Sequence, residues 1–193
     1  MEFNSKLVKL ARDITDIKVI EVTDIPDIDL YMDQVTTFME TKLETHKRNK
    51  ADKILTKTMI NNYAKARLFP PPIKKKYNRN HMMILIIIYH LKSILSINDI
   101  QVLLSPISNE IIKNPKSALL DLVYTNFVII QKHIKNAKIG EVLTNQQIFS
   151  NLEIDQTSPN YDLMVNIFSV LILSIYSNTE KRLAEKILDT QFK

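Results

Sequence analysis

The chain has 193 residues, a formal net charge of +5, one glycine and no cysteine. The missing thiols exclude disulfides, thiolate zinc sites and cysteine nucleophiles. The lone Gly140 excludes the glycine-rich loops through which Walker and Rossmann sites approach phosphates. This length supports one domain or two small ones without cross-links, and abundant Leu, Ile, Lys, Asn and Glu predict an all-α, mainly helical fold. The Met-Glu-Phe-Asn-Ser start carries an early acid and no apolar signal region. The longest apolar run falls short of the roughly 20 residues that span a bilayer, so a soluble, cytoplasmic protein is expected.

The net charge hides a segregation. Residues 42–92 hold 13 Lys and Arg against Glu44 and Asp52, a local balance of +11, whereas residues 1–41 come to −5 and residues 93–193 to −1. Such a block is the electrostatic footprint of a polyanion partner, or else a solvated lysine-rich face.

The acidic arm over residues 1–30 contains one amphipathic stretch, Leu7, Val8, Leu10, Ala11 and Ile14, that predicts a short helix. Asp27 or Asp29 then caps a helix carrying Leu30, Val35, Phe38, Met39 and Leu43 on one face and ending near His46. After a basic connector, Thr56 is placed to cap the next helix, whose apolar face is Met59, Ile60, Tyr63 and Ala66. Its other face sets Lys57, Asn61 and Lys65 at steps of four with Thr58 and Asn62 beside them. Amide and ammonium groups in such a row are the chemistry that holds phosphates and meets adenine edges, though an ordinary exposed helix face has the same pattern. Pro70, Pro71 and Pro72 stop that helix and force extended chain. Ile73 to Tyr77 reads as a short extended or hairpin-like wing presenting Lys74, Lys75 and Lys76. Asn78 caps a helix from Arg79 to about Ser93 that is apolar nearly all round and is therefore a central core element anchoring the wing. Ser96 with Asp99 forms a near capping box for a short helix that Pro106 is expected to end.

This order of helix, turn, helix, Leu68-Phe69-Pro70 step, basic wing, Tyr77-Asn78, core helix and Ser96-Ile97-Asn98-Asp99-Ile100 resembles the MerR-type winged helix-turn-helix over residues 31–106. Thr56 matches that family's cap and Tyr63 the second Tyr of its Arg-Tyr-Tyr-Glu signature. Asn61 and Asn62 stand where its Arg-Tyr would be, Ala64 replaces Glu, and Arg67 replaces Gly. The stretches at Pro26–Val35, Leu55–Tyr63 and Pro70–Tyr77 also look like a bacterial family of unknown function described only as MerR-like regulators. The resemblance implies a double-stranded DNA partner, with Thr56, Lys57, Thr58, Asn61, Asn62, Lys65 and Arg67 at a major groove and Lys74, Lys75, Lys76, Tyr77 and Arg79 on or beside the flanking phosphates. It also implies a homodimer built through C-terminal helices.

The remaining chain, residues 107–193, predicts helical segments over 108–136 and 160–190, with Gly140 as a helix-ending residue between them. Leu120, Val123, Phe127, Ile130 and Ile134 follow a 3-4 spacing over two heptads, which suits either an intrachain core or a subunit contact. Leu163, Ile167, Val170, Leu171, Ile175 and Tyr176 form a further apolar face. His46, His81, His90 and His133 show no metal-ligand spacing and no nucleophile elbow is present. No enzymatic activity, cofactor or metal is expected. The expectation is a DNA-binding transcriptional regulator; the rival is a helical adaptor that binds an acidic protein or RNA through the same basic surface.

Overall fold

The computed structural model describes residues 9–14, 18–115, 117–136 and 147–192. In chain order the elements are α1 (residues 9–14), β1 (Leu30–Tyr31), α2 (Met32–Lys42), α3 (Lys57–Lys65), β2 (Lys76–Tyr77), α4 (Arg79–Leu91), α5 (Ile97–Lys113), α6 (Leu119–Asn136), α7 (Gln147–Ser150) and α8 (Tyr161–Gln191). The fold is mainly helical, and among the described residues its one sheet is the antiparallel pair β1–β2, in register Leu30 to Tyr77 and Tyr31 to Lys76.

Helix α4 fills the centre because its sequence leaves it no polar face. Ten of its 13 residues are buried, from His81 through Ile88 and then His90 and Leu91. It packs against α6 and α8, and those two helices pack on each other. Burying a large aliphatic side chain is worth about 1.5–3 kcal/mol, so this run supplies much of the drive that orders the elements around it. The acidic arm joins the same core. Ile20 and Ile25 are buried, and the Tyr124 hydroxyl on α6 donates to the Ile20 carbonyl at 3.0 Å. One continuous apolar cluster thus runs from Ile20 to Tyr176.

The caps at Thr56, Asn78 and Ser96 form as the sequence indicates. Helix α2 does not start on Asp27 or Asp29: Tyr31 is its cap residue, and the Gln34 side chain accepts from the Tyr31 amide at 2.8 Å because strand pairing holds Tyr31 extended. Pro106 does not end α5. The carbonyl of Val102, deprived of its helical donor by the proline ring, accepts from the Ser105 hydroxyl at 3.1 Å, and the helix continues to Lys113. The segment over 108–136 is accordingly two helices, divided between Asn114 and Ala118. Leu120, Val123, Phe127, Ile130 and Ile134 are all buried within the single chain, so that heptad seam is intrachain core. Gly140, and Leu7 and Val8 of the first amphipathic stretch, lie outside the described residues.

Among the described residues α8 is long and apolar enough to cross a membrane by length and composition. Here Met164, Ile167, Phe168, Leu171, Ile172 and Ile175 are buried, with α8 against α4 and α6, which accounts for its apolar first half as a core face.

Candidate nucleic-acid interface

Helix α3 begins where the Thr56 hydroxyl accepts from the Met59 amide at 3.1 Å. Ile60 and Tyr63 are its buried anchors, and burial raises the Tyr63 hydroxyl pKa. With those two turned inward, Lys57, Thr58, Asn61, Asn62 and Lys65 are all exposed. The helix stops in a Schellman motif: the Leu68 amide donates to the Tyr63 carbonyl at 3.1 Å and the Arg67 amide to the Ala64 carbonyl at 3.0 Å. The residue that must turn left-handed in this motif is Arg67, with φ 55°. Glycine takes this conformation freely, whereas an L-residue with a Cβ spends about 1 kcal/mol on it. An exposed guanidinium therefore occupies a position where the backbone favours glycine.

The same substitution of charge for ease recurs in the wing. Ile73 bridges Lys76, the Lys76 amide donates to the Ile73 carbonyl at 2.9 Å, and the two central residues, Lys74 and Lys75, have φ 50° and 63°. Two positive-φ residues closed by that hydrogen bond make the mirror-image hairpin turn that Asn-Gly usually supplies. Lys74 and Lys75 are exposed at its tip. Left-handed backbone at three basic positions is strain at a surface, and strain of this kind gathers where function requires the residue.

The base of the wing is tightly held. Phe69, Tyr77 and His81 form an edge-to-face ring cluster with centroids 5.5–6.4 Å apart. His81 Nε2 lies 2.9 Å from the Pro70 carbonyl oxygen, which calls for an Nε2–H donor. Nδ1 lies 3.1 Å from the Asn78 amide nitrogen and 2.6 Å from the Asn78 Oδ1. Burial lowers the His81 pKa, favouring this neutral ring. The Ser108 hydroxyl on α5 donates to the Leu68 carbonyl at 3.0 Å. Three prolines leave few donors for this segment, so side chains from α4 and α5 satisfy its carbonyls.

Helix α2 links the two basic elements. Asp33 pairs with Lys57, while Tyr31, two residues earlier, lies under the Lys76 ammonium at 5.3 Å from the ring centroid. The ion pair is exposed, and such a pair is worth about 1 kcal/mol or less. Lys57 and Lys76 thus flank the start of α2.

Of the residues expected to contact a partner, Lys57, Thr58, Asn61, Asn62, Lys65, Arg67, Lys74 and Lys75 are exposed, and Thr56 and Lys76 are half-buried. Tyr77 is buried against Phe69 and His81 and serves the wing from within. Arg79 is turned to Asp121 of α6 at 3.3 Å, which ties the start of α4 to the core. Sequence reasoning missed Tyr31. Its exposed ring beside the wing follows from the β1–β2 register, which two-residue strands do not announce.

A family model described as a domain of unknown function (DUF1836) matches residues 20–127. The chain belongs to this family. The match runs from ahead of β1 into the first half of α6 and so includes every basic residue of α3 and the wing. No curated protein and no solved structure matches the chain.

Proposed function

We propose that this protein is a sequence-specific double-stranded DNA-binding regulator of the MerR-like winged helix-turn-helix kind. The exposed face of α3 enters a major groove, where Asn61 and Asn62 meet base edges and Lys57, Lys65 and Arg67 hold phosphates. The Lys74–Lys76 wing grips the adjacent backbone. The carrying observation is the left-handed backbone of Arg67, Lys74 and Lys75, which places cations where glycine or asparagine would fold at lower cost. A homodimer would give two half-sites; with the α6 seam occupied inside the chain, the exposed Leu173, Leu188 and Phe192 on and just after α8 offer it a C-terminal surface.

The test is a salt-titrated mobility-shift assay with Lys74/Lys75/Lys76→Ala. The variant should lose affinity for all duplexes and show a slope of log affinity against log salt shallower by about 2–3. An unchanged slope would remove the wing from the interface. One observation favours the adaptor reading: Ile73 is 74% exposed and Tyr31 55% exposed beside the lysines, an apolar element that suits a protein partner. Competition by random duplex DNA separates the two, because an acidic protein held through Ile73 and Tyr31 stays bound under that challenge.

A further inference from the structure

Residues 44–54, the connector between α2 and α3, run along the distal half of α8 and enclose a cleft of about 390 Å³, large enough for a small metabolite. The connector is clamped there. Arg48 forms a two-bond fork with Asp189 at 2.9 and 3.0 Å and reaches Glu185 at 3.3 Å. Lys47 is neutralised by Glu40. The other cations of the cleft are Lys53, Lys92, Lys181 and Arg182, and none of these four has a carboxylate within ion-pair distance among the described residues. The carboxylates of Asp52 and Glu185 also line it.

Two of those cations are partly buried and hydrogen-bond to backbone carbonyls: Lys92 Nζ donates to the Ile54 oxygen at 2.6 Å and lies over the Tyr89 ring at 4.9 Å, and Arg182 Nη2 donates to the Thr45 oxygen at 3.3 Å. Desolvation lowers the pKa of both. His46, 8% exposed, lines the same cleft, and neither ring nitrogen has a hydrogen-bond partner among the described residues. A buried imidazole left unsatisfied is destabilising, and the rings packed edge-on to it are Tyr89 at 5.8 Å and His90 at 5.1 Å. Four cations without a carboxylate at ion-pair distance, and an unsatisfied ring, meet at one cleft among the described residues, which suits something anionic that also exchanges hydrogen bonds.

We infer that the cleft between the connector and α8 binds a small phosphate-bearing anion, with Arg182 and Lys92 at the phosphate, Lys53 and Lys181 at its rim, and His46 supplying a ring nitrogen. Guanidinium and ammonium groups match phosphoryl oxygens in geometry and charge. The site shares no residue with the proposed DNA surface.

The test uses the full chain and inorganic pyrophosphate, with ionic strength held constant by potassium chloride. Calorimetry should show saturable binding, and a hundredfold excess over Kd should raise the melting temperature by about 5–10 °C. Lys53→Gln with Lys181→Gln, both exposed and safe for folding, should weaken binding at least tenfold. Lys74→Gln with Lys75→Gln should leave it unchanged. Absence of saturable binding overturns the inference, and so does equal loss from the wing variant, which marks diffuse attraction. Citrate binding as well as pyrophosphate overturns the phosphate assignment. Duplex binding that survives any of these results leaves the DNA reading standing by itself.

Discussion

Lys75 and Lys92 carry the same ammonium on the same stem and live in opposite settings. Lys75 stands fully solvated at the tip of a hairpin, where its cost is borne by the backbone through a left-handed turn. Lys92 keeps a relaxed helical backbone and bears its cost through desolvation, with Ile54's carbonyl and the face of Tyr89 at 4.9 Å as compensation. Solvated charges act at a distance and are screened by salt, whereas partly buried ones act at contact and resist it. The wing suits a long polyanion met by diffusion, and the cleft suits a small ligand taken out of water.

The sharpest way to break this contrast is acid. Burial, with Arg182 adding to it, pushes the His90 pKa down to about 3, and burial followed by the charges of His90 and Arg182 drives His46 well below its ordinary value. Both groups are depressed in the folded state, so the stability they support is whole above the unfolded pKa near 6.5. It falls as pH drops from there toward about 3, by about 1.4 kcal/mol per unit for His90. Thermal melts between pH 7 and 4 should show this decline, and His90→Phe should flatten it; a wild-type midpoint constant over that range would contradict the buried neutral pair.

Next in size is specificity. Asn61→Ala or Asn62→Ala should erase about 1–3 kcal/mol of preference between a selected site and random duplex while leaving the salt slope intact, as read by competitive binding. A changed slope with unchanged preference would reassign these amides to phosphates.

Relief of backbone strain gives a smaller effect with opposed signs. Arg67→Gly, and separately Lys74→Asn with Lys75→Gly, should raise stability by about 1 kcal/mol, or about 2–4 °C in melting temperature, while weakening duplex binding several-fold. Loss of stability on either substitution would show that these side chains are structural. Smallest of all, Asp33→Asn removes an exposed pair and should shift stability by less than about 0.5 kcal/mol, with duplex affinity rising slightly as Lys57 is freed. A large destabilisation would mean that the pair anchors α2 to α3.

The sequence by itself determined the features that rest on neighbours a few residues apart. Thr56, Asn78 and Ser96 cap helices because each finds its amide three residues on, and three consecutive prolines keep the chain from resuming a helix directly after α3. The apolar run of α4 requires burial on every side, and alternation of Ile60 and Tyr63 with lysines and amides leaves one basic face outward. Only the tertiary structure decided the rest. Strand register brought Tyr31 beneath Lys76. Packing of α6 on α8 spent the heptad seam inside one chain. Arg48 met Asp189 across 141 residues, closing a cleft around His46 that no spacing announces. Caps and breaks are written within one turn of the chain, whereas register, left-handed turns and shared clefts depend on which distant surfaces exclude water from each other.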